Sequence, residues 1–392
     1  MSNVEKSANP YPATARWLAV LSLTAVAMGL TANARHPYLM DFLSYWAAAI
    51  LAIGGHAANA YNVALHHAVQ ERIFPFDSRM PFAYPPPYLL LILPLGLLPY
   101  WISAVAWVGV TLSAYVAIVR RVMPEFVSVA IAFPPVVLCG AIGQNGFLTA
   151  TLFIGGMSAL GRRPLLAGLI LGCLAIKPQL GLLLPLAFLA GREGKAFAGA
   201  ALSVATLILL SVLAFGLGPW RGFFEMAALS GSVATQGLAG WHKMASVFAS
   251  LRLAGVAAPL AWAVHAAVAA LGSVMVWNVW RQTRDPMTRA AILAPATVLI
   301  SPYLYVYDQV MLVVSFYWLA RIGANRGLLI ALFLLPLATL GQFWMPDPRF
   351  NPAPILPLAL LLLVRLHLVG AGSISAATNP LLAATEKSLS RE

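Results

Sequence analysis

Charged side chains are scarce in this chain: 12 carboxylates and 24 lysines and arginines among 392 residues, 9% in all. A water-soluble domain carries about a quarter charged residues because its surface faces water, so that class is excluded. Cysteine is nearly absent as well. Cys139 and Cys173 both sit in apolar stretches, make neither a zinc spacing nor a disulfide framework, and are expected to be small core residues. The sequence also contains no Walker loop, no GxGxxG turn, no HExxH helix and no DxD-like acidic pair. These absences argue against phosphate-loop NTPases, dinucleotide enzymes, zinc hydrolases and transferases that grip a nucleotide sugar through a metal. No metal and no cofactor are expected.

What fills the chain instead is apolar: 61% of residues are hydrophobic and the mean hydropathy is +0.83. Apolar stretches of spanning length recur from Trp17 to Gly370, so lipid is the solvent for most of the chain. In lipid only helices or closed barrels satisfy the backbone, and continuous rather than alternating apolar runs select helices. The expected fold is all-α and polytopic, with about ten to twelve transmembrane helices. The formal charge of +12 does not indicate nucleic acid, because the basic residues form no single patch. They punctuate the apolar runs at Arg120-Arg121, Arg162-Arg163, Arg192 with Lys195, Arg281 with Arg284 and Arg289, and Arg321 with Arg326, as cytoplasmic turns do.

Placing those clusters inside gives a first helix over roughly 17–34, retained although Ala32-Asn33-Ala34 resembles a signal-peptidase site. An extracytoplasmic segment, 35–87, follows, and then a short interfacial or re-entrant stretch over 88–99. One pass over 100–119 leads to hairpins at 126–141/146–160 and 164–176/179–190; spans at 196–216 and 257–280 then flank an outside loop, 217–256. Hairpins at 290–301/309–320 and 328–343/355–370 precede a tail, 371–392, expected to be disordered and cytoplasmic. This layout puts 16 Lys/Arg inside and 8 outside, and treats 1–370 as one integral-membrane domain.

With so few carboxylates, each can be weighed. Most fall in inside turns or tails, but Asp41 and Asp308 open apolar helices in DFLSYWAAAI and SPYLYVYDQV. A carboxylate at a membrane boundary is a functional candidate; for Asp41 the competing role is a helix N-cap, which an ionised aspartate also serves. Ser44, Tyr45 and Ala48 would share its face. The first outside segment is rich in aromatics (Tyr38, Tyr45, Trp46, Tyr61, Phe74, Phe76, Phe82, Tyr84, Tyr88) and ends in the rigid run Phe82 to Pro87. An interfacial aromatic belt would account for such residues; so would an enzyme site built against lipid. His66-His67 reads as a solvated helix face. Gly143-Gln144-Asn145-Gly146 marks an outside turn, and Lys177-Pro178-Gln179 puts a lysine between two short arms, to contact a phosphate or merely to snorkel. His242 and Lys243, beside Trp241, are further phosphate-binding candidates.

In that order the motifs resemble glycosyltransferase family 87: Asp41 with Tyr45 and Trp46, Tyr61-Asn62, Tyr84-Pro85-Pro86, Gly143-Gln144-Asn145, Lys177-Pro178-Gln179 and Ser301-Pro302. The resemblance implies a GT-C fold, a polyprenyl-phosphate sugar as donor, a glycolipid or glycan acceptor, and an active site at the outer face of a bacterial plasma membrane. It matches Asp41 to the catalytic aspartate, and points to mannose as the hexose. On this assignment Lys177, His242 and Lys243 hold the donor phosphate, and Tyr45, Tyr84, Gln144, Asn145, Gln179 and Asp308 bind substrate. After Ser301-Pro302 the chain reads Tyr303-Leu304-Tyr305-Val306-Tyr307-Asp308, where some mannosyltransferase members carry Trp and a His pair. Two other classes compete: a secondary transporter using Asp41 and Asp308 as proton-coupling carboxylates, which would favour midplane sites and inverted repeats, and a non-catalytic scaffold, which would tolerate loss of Asp41.

Overall fold

The computed structural model describes residues 20–24, 39–75, 80–238, 240–341 and 348–370. The expected span over 17–34, apart from 20–24, and the tail, 371–392, lie outside the described residues, as do Tyr38 and Phe76. Among the described residues the architecture is all-α: helices joined by short turns and 3-10 segments, with no strand beyond one isolated bridge between Met244 and Tyr305.

The first outside segment is largely helical. It runs through α1 (Phe42–Ile53), a 3-10 turn (Ala57–Tyr61), α2 (Val63–Gln70) and α3 (Pro86–Ile92), which continues as a 3-10 stretch (Leu93–Leu97). Proline marks the boundaries, because its locked φ suits the first turn of a helix and its missing N–H is not needed there. Thus the run from Phe82 stays extended only to Pro85 (φ −67°, ψ 156°), and Pro86 and Pro87 begin α3.

Three helices are long and apolar enough to cross a membrane singly: α4 (Tyr100–Val122), Gly194–Phe215 and Ala258–Gln282. A fourth span is available if Pro124–Ala132 and Pro134–Ile142, bent by 62° between them, act as one. Shorter apolar helices, among them Gly146–Ala159, Pro164–Ile176, Pro178–Gly191, Pro286–Ile300 and Ile355–Gly370, complete the bundle. The arms around Lys177 are broken by 3-10 turns at Cys173–Ile176 and Pro178–Leu180. The region 217–256, expected as a loop, is instead mostly helical, with Gly218–Thr235 and Val247–Leu253. Its early Pro219 sits where a helix start tolerates proline.

Between lipid-embedded helices there is little hydrophobic drive, so close packing decides which pairs associate. Gly168 and Gly172, spaced as in GxxxG, pack on the Gly194–Phe215 helix so tightly that a Cβ at Gly168 would overlap the Ala196 carbonyl. At one end of the bundle, Arg289 donates to Glu193 Oε1 (2.6 Å), Trp280 O (2.9 Å) and Thr283 O (2.8 Å). There too, Tyr317 donates to Glu125 (3.0 Å) and Trp318 to Thr288 Oγ1 (2.9 Å). The candidate site occupies the other end.

Candidate active site

Asp41 is the last residue of the turn before α1, and that turn is pinned to the neighbouring hairpin. Leu39 N donates to Ala141 O (2.9 Å), Asp41 N to Ile142 O (3.1 Å), and Tyr100 Oη to Leu39 O (2.7 Å). Leu39 adopts a positive φ of 63°, which costs an L-residue about 1–2 kcal/mol and persists only where its surroundings fix it. Gly143, at φ 77°, faces the turn so closely that a Cβ there would lie 2.7 Å from Phe42 Cβ. Both anomalies hold Asp41 against Gln144-Asn145.

The Asp41 side chain does not cap α1, although the residue occupies the N-cap position. Its Oδ2 accepts from Gln144 Nε2 at 2.9 Å instead. Gln144 Oε1 in turn accepts from Tyr45 Oη (2.6 Å) and Tyr84 Oη (3.3 Å), which lie 2.9 Å apart. These hydroxyls therefore fix the amide with its donor toward the carboxylate. Asp41 and Tyr45 meet through one amide, as the four-residue spacing requires. Burial raises the Asp41 pKa above the usual carboxylate value, opposed by the Gln144 hydrogen bond and by the charges of Lys243 and Lys177. Desolvation thus outweighs the Gln144 hydrogen bond and the two lysines, which favour the ionised form.

A second carboxylate faces a cation. Lys177 Nζ sits 2.5 Å from Asp308 Oδ1, both groups buried, while Asp308 Oδ2 accepts from Tyr305 N at 3.1 Å. The ammonium also lies over the rings of Tyr307 (5.3 Å) and Tyr84 (5.9 Å). This is not a lysine snorkelling to water; it is a paired group between aromatic faces. Tyr305 and Tyr307 stack at 5.4 Å and 10°, and both are partly exposed, as are Tyr84, Asp41, His242 and Lys243. Lys243 is close enough for its charge to be felt at Asp41; burial pulls its own pKa down and Asp41 pulls it back up. Burial and the adjacent lysine lower the His242 pKa, leaving a neutral imidazole at pH 7.

The structure therefore gathers Asp41, Tyr45, Tyr84, Gln144, Lys177 and Asp308 into one constellation, with Lys243 at its edge. Asn145 joins through Tyr88, to whose hydroxyl its Nδ2 donates at 3.5 Å. Gln179 does not join: its side chain is partly exposed and makes no hydrogen bond among the described residues. The aromatic segment is a packed core more than an interfacial belt, with Tyr45, Tyr61, Phe82 and Tyr88 buried and Tyr84 stacked on Tyr88 at 4.5 Å. His66 corrects another expectation. It is buried rather than solvated, bonding Ser44 O (3.0 Å) and Gln70 Nε2 (3.2 Å), and its pKa is pushed down to about 4 by that burial. Cys139 is buried as expected, whereas Cys173 is only partly so. Tyr305 and Tyr307 were not singled out from the sequence, although both lie in the run that carries Asp308. No cluster of three metal-binding side chains occurs among the described residues.

A polytopic all-α membrane protein with carboxylates and cations converging beside tyrosines could belong to several classes. The comparison with protein families decides among them. This chain belongs to glycosyltransferase family 87, whose profile matches residues 82–302, and it is accordingly a membrane glycosyltransferase. The matched segment holds Tyr84, Gln144, Asn145, Lys177, His242 and Lys243, while Asp41 and Asp308 flank it. No curated protein and no solved structure matches the chain.

Proposed function

We propose that this glycosyltransferase moves a hexose, mannose in the first instance, from a polyprenyl-phosphate carrier to an envelope glycolipid or glycan, with inversion and with Asp41 as the general base. The observation that carries the reading is the Asp41 carboxylate: it is half-buried, free of any capping duty and held at 2.9 Å by an amide that two tyrosines orient. In the proposed step Asp41 takes the proton of the acceptor hydroxyl as its oxygen bonds to the anomeric carbon. The bond from that carbon to the phosphate oxygen breaks, and the electron pair leaves with the polyprenyl phosphate. A phosphate leaves without a general acid, so one carboxylate on the opposite face is sufficient, by analogy with inverting glycosidases. Lys243 and Lys177 face the departing negative charge, and His242 adds a neutral donor. Because Lys177 already pairs with Asp308, phosphate would share the ammonium rather than meet it unpaired. Substrate binding falls to Tyr45, Tyr84, Gln144, Asn145 and Asp308, with Tyr305 and Tyr307 as an aromatic wall; Gln179 is not assigned a contact.

The transporter alternative receives less support. Asp41 and Asp308 stand at helix ends, and Asp308 is neutralised by Lys177 at 2.5 Å, which does not suit a proton-coupling group. The test is purified full-length protein assayed with polyprenyl-phosphate mannose in the presence of a chelator. Asp41→Asn preserves size and can still accept from Gln144. It should express normally and lose about a hundredfold or more in turnover, the share of general-base catalysis. Near-normal turnover by that variant would remove Asp41 as base, and a strict divalent-ion requirement would remove the metal-free donor chemistry.

A further inference from the structure

The segment 240–246 has little reason of its own to hold a shape. Its only regular element is one 3-10 turn, Trp241–Lys243, entered through Gly240 at φ 78°. Yet this segment carries both His242 and Lys243 to the rim of the site. Trp241 Nε1 donates to Ala234 O (2.7 Å), and further support comes from far along the chain. Asn351 is fully buried, and its Nδ2 donates to Trp241 O (2.8 Å) and to Met244 O (2.6 Å), the two carbonyls that bracket His242-Lys243. Its Oδ1 accepts from Ala353 N (2.9 Å), an Asx turn closed around Pro352, and its own carbonyl accepts from Ser250 Oγ (2.8 Å). Every polar atom of the carboxamide is thus engaged.

The same short segment also reaches the opposite wall. Ala353 O accepts from Gln309 Nε2 (2.9 Å), the residue next to Asp308. The backbone continues the link, with Ala245 N donating to Leu304 O (2.6 Å) beside the Met244–Tyr305 bridge. Asn351-Pro352-Ala353 therefore spans two elements that each deliver a charged group to the site, and it lies beyond the residues matched by the family profile.

We propose that Asn351 is a positioning residue for the donor-phosphate subsite: its carboxamide fixes the carbonyl pair around His242 and Lys243 against the wall that carries Asp308. The proposal rests on the assignment of Lys243 to the donor phosphate. Without the two donated bonds the turn from Trp241 to Met244 loosens, although the Ala245–Leu304 bond still tethers its end, and displacing a contact by about 1 Å costs on the order of tenfold to a hundredfold in rate. The experiment is a double-mutant cycle, reading kcat/KM for polyprenyl-phosphate mannose on the full-length protein. Asn351→Ala and Lys243→Ala should each lower it by about tenfold, and the double variant should fall well short of the hundredfold product, because Asn351 acts through Lys243 and its neighbour His242. A multiplicative loss in the double variant, or an unaffected Asn351→Ala, overturns the proposal. If Lys243→Ala alone changes nothing, the phosphate assignment fails, and Asn351 loses its role with it. Should Asn351→Ala fold poorly, Asn351→Asp takes its place in the cycle, since it keeps the acceptor for Ala353 N and the side-chain size but lacks both donors.

Discussion

Gln144 connects more of the site than any other single residue. Its amide donates to Asp41 and accepts from Tyr45 and Tyr84, so the ionised form of Asp41 is favoured by a bond that those tyrosines orient. Burial acts in the opposite direction and prevails, so Asp41 titrates above the ordinary carboxylate range. A general base works only when deprotonated. The acid limb of kcat/KM should therefore fall as pH drops through that raised pKa, at a higher pH than an exposed aspartate would give. Replacing Gln144 by Leu removes the donor that stabilises the carboxylate, so the pKa rises further and the limb shifts to higher pH. A pH–rate profile of wild type against Gln144→Leu tests this; an unmoved limb would mean that another group sets the profile. Asp41 could be found in the sequence because carboxylates are so few there. Its partner was legible only as a turn motif, since nothing local says that Gln144 faces a residue about a hundred positions upstream.

At the scale of elements, the broken helix around Lys177 and the 3-10 segment Val306–Leu312 are joined by one buried ion pair. Removing one partner of such a pair leaves an uncompensated charge and costs about 3–5 kcal/mol, whereas removing both is often nearly neutral. Lys177→Ala should therefore lower the unfolding temperature markedly, and Lys177→Met combined with Asp308→Asn should restore most of it. Donor kcat/KM should stay low in both variants if the ammonium serves the phosphate. A stable double variant with wild-type donor use would reduce the pair to a structural strut. The sequence marked both residues but could not pair them, because 131 positions separate them and each is plausible alone as a membrane-edge charge. The tyrosines at 305 and 307 were hidden for a related reason. Alternate spacing in an apolar run gives no helical face, and Tyr305 is the extended N-cap of the 3-10 segment, its N–H held by Asp308. The helix Gly218–Thr235 was obscured by its own glycines and proline, whereas the long apolar spans, whose signal is length and composition, fell within a few residues of their expected positions.

For the whole molecule the question is which end faces which side of the membrane. Contacts divide the bundle into two ends. One gathers the turns bearing Glu125, Glu193, Thr288, Arg289, Tyr317 and Arg321; the other gathers Asp41, Gln144, Lys177, Met244 and Tyr305. A helix such as α4, with 23 residues, separates such ends by about 35 Å at 1.5 Å per residue, enough to cross the hydrocarbon core. The first end carries the paired arginines at 120–121 and 162–163 and the cluster 281–289, which the positive-inside bias places in the cytoplasm. On that bias we propose that the site opens on the extracytoplasmic side, where a polyprenyl-phosphate sugar and an envelope acceptor would meet. Single cysteines test this in a background where Cys139 and Cys173 are replaced by Ala. His56→Cys, in an exposed turn after α1, should react with a membrane-impermeant thiol reagent in intact cells; Arg163→Cys, exposed at the basic end, should react only after the membrane is opened. Equal labelling of both in intact cells would indicate leaky cells or mixed insertion. The reverse pattern would put Asp41 in the cytoplasm, where nucleotide sugars are available, and the lipid-linked donor would lose its topological basis.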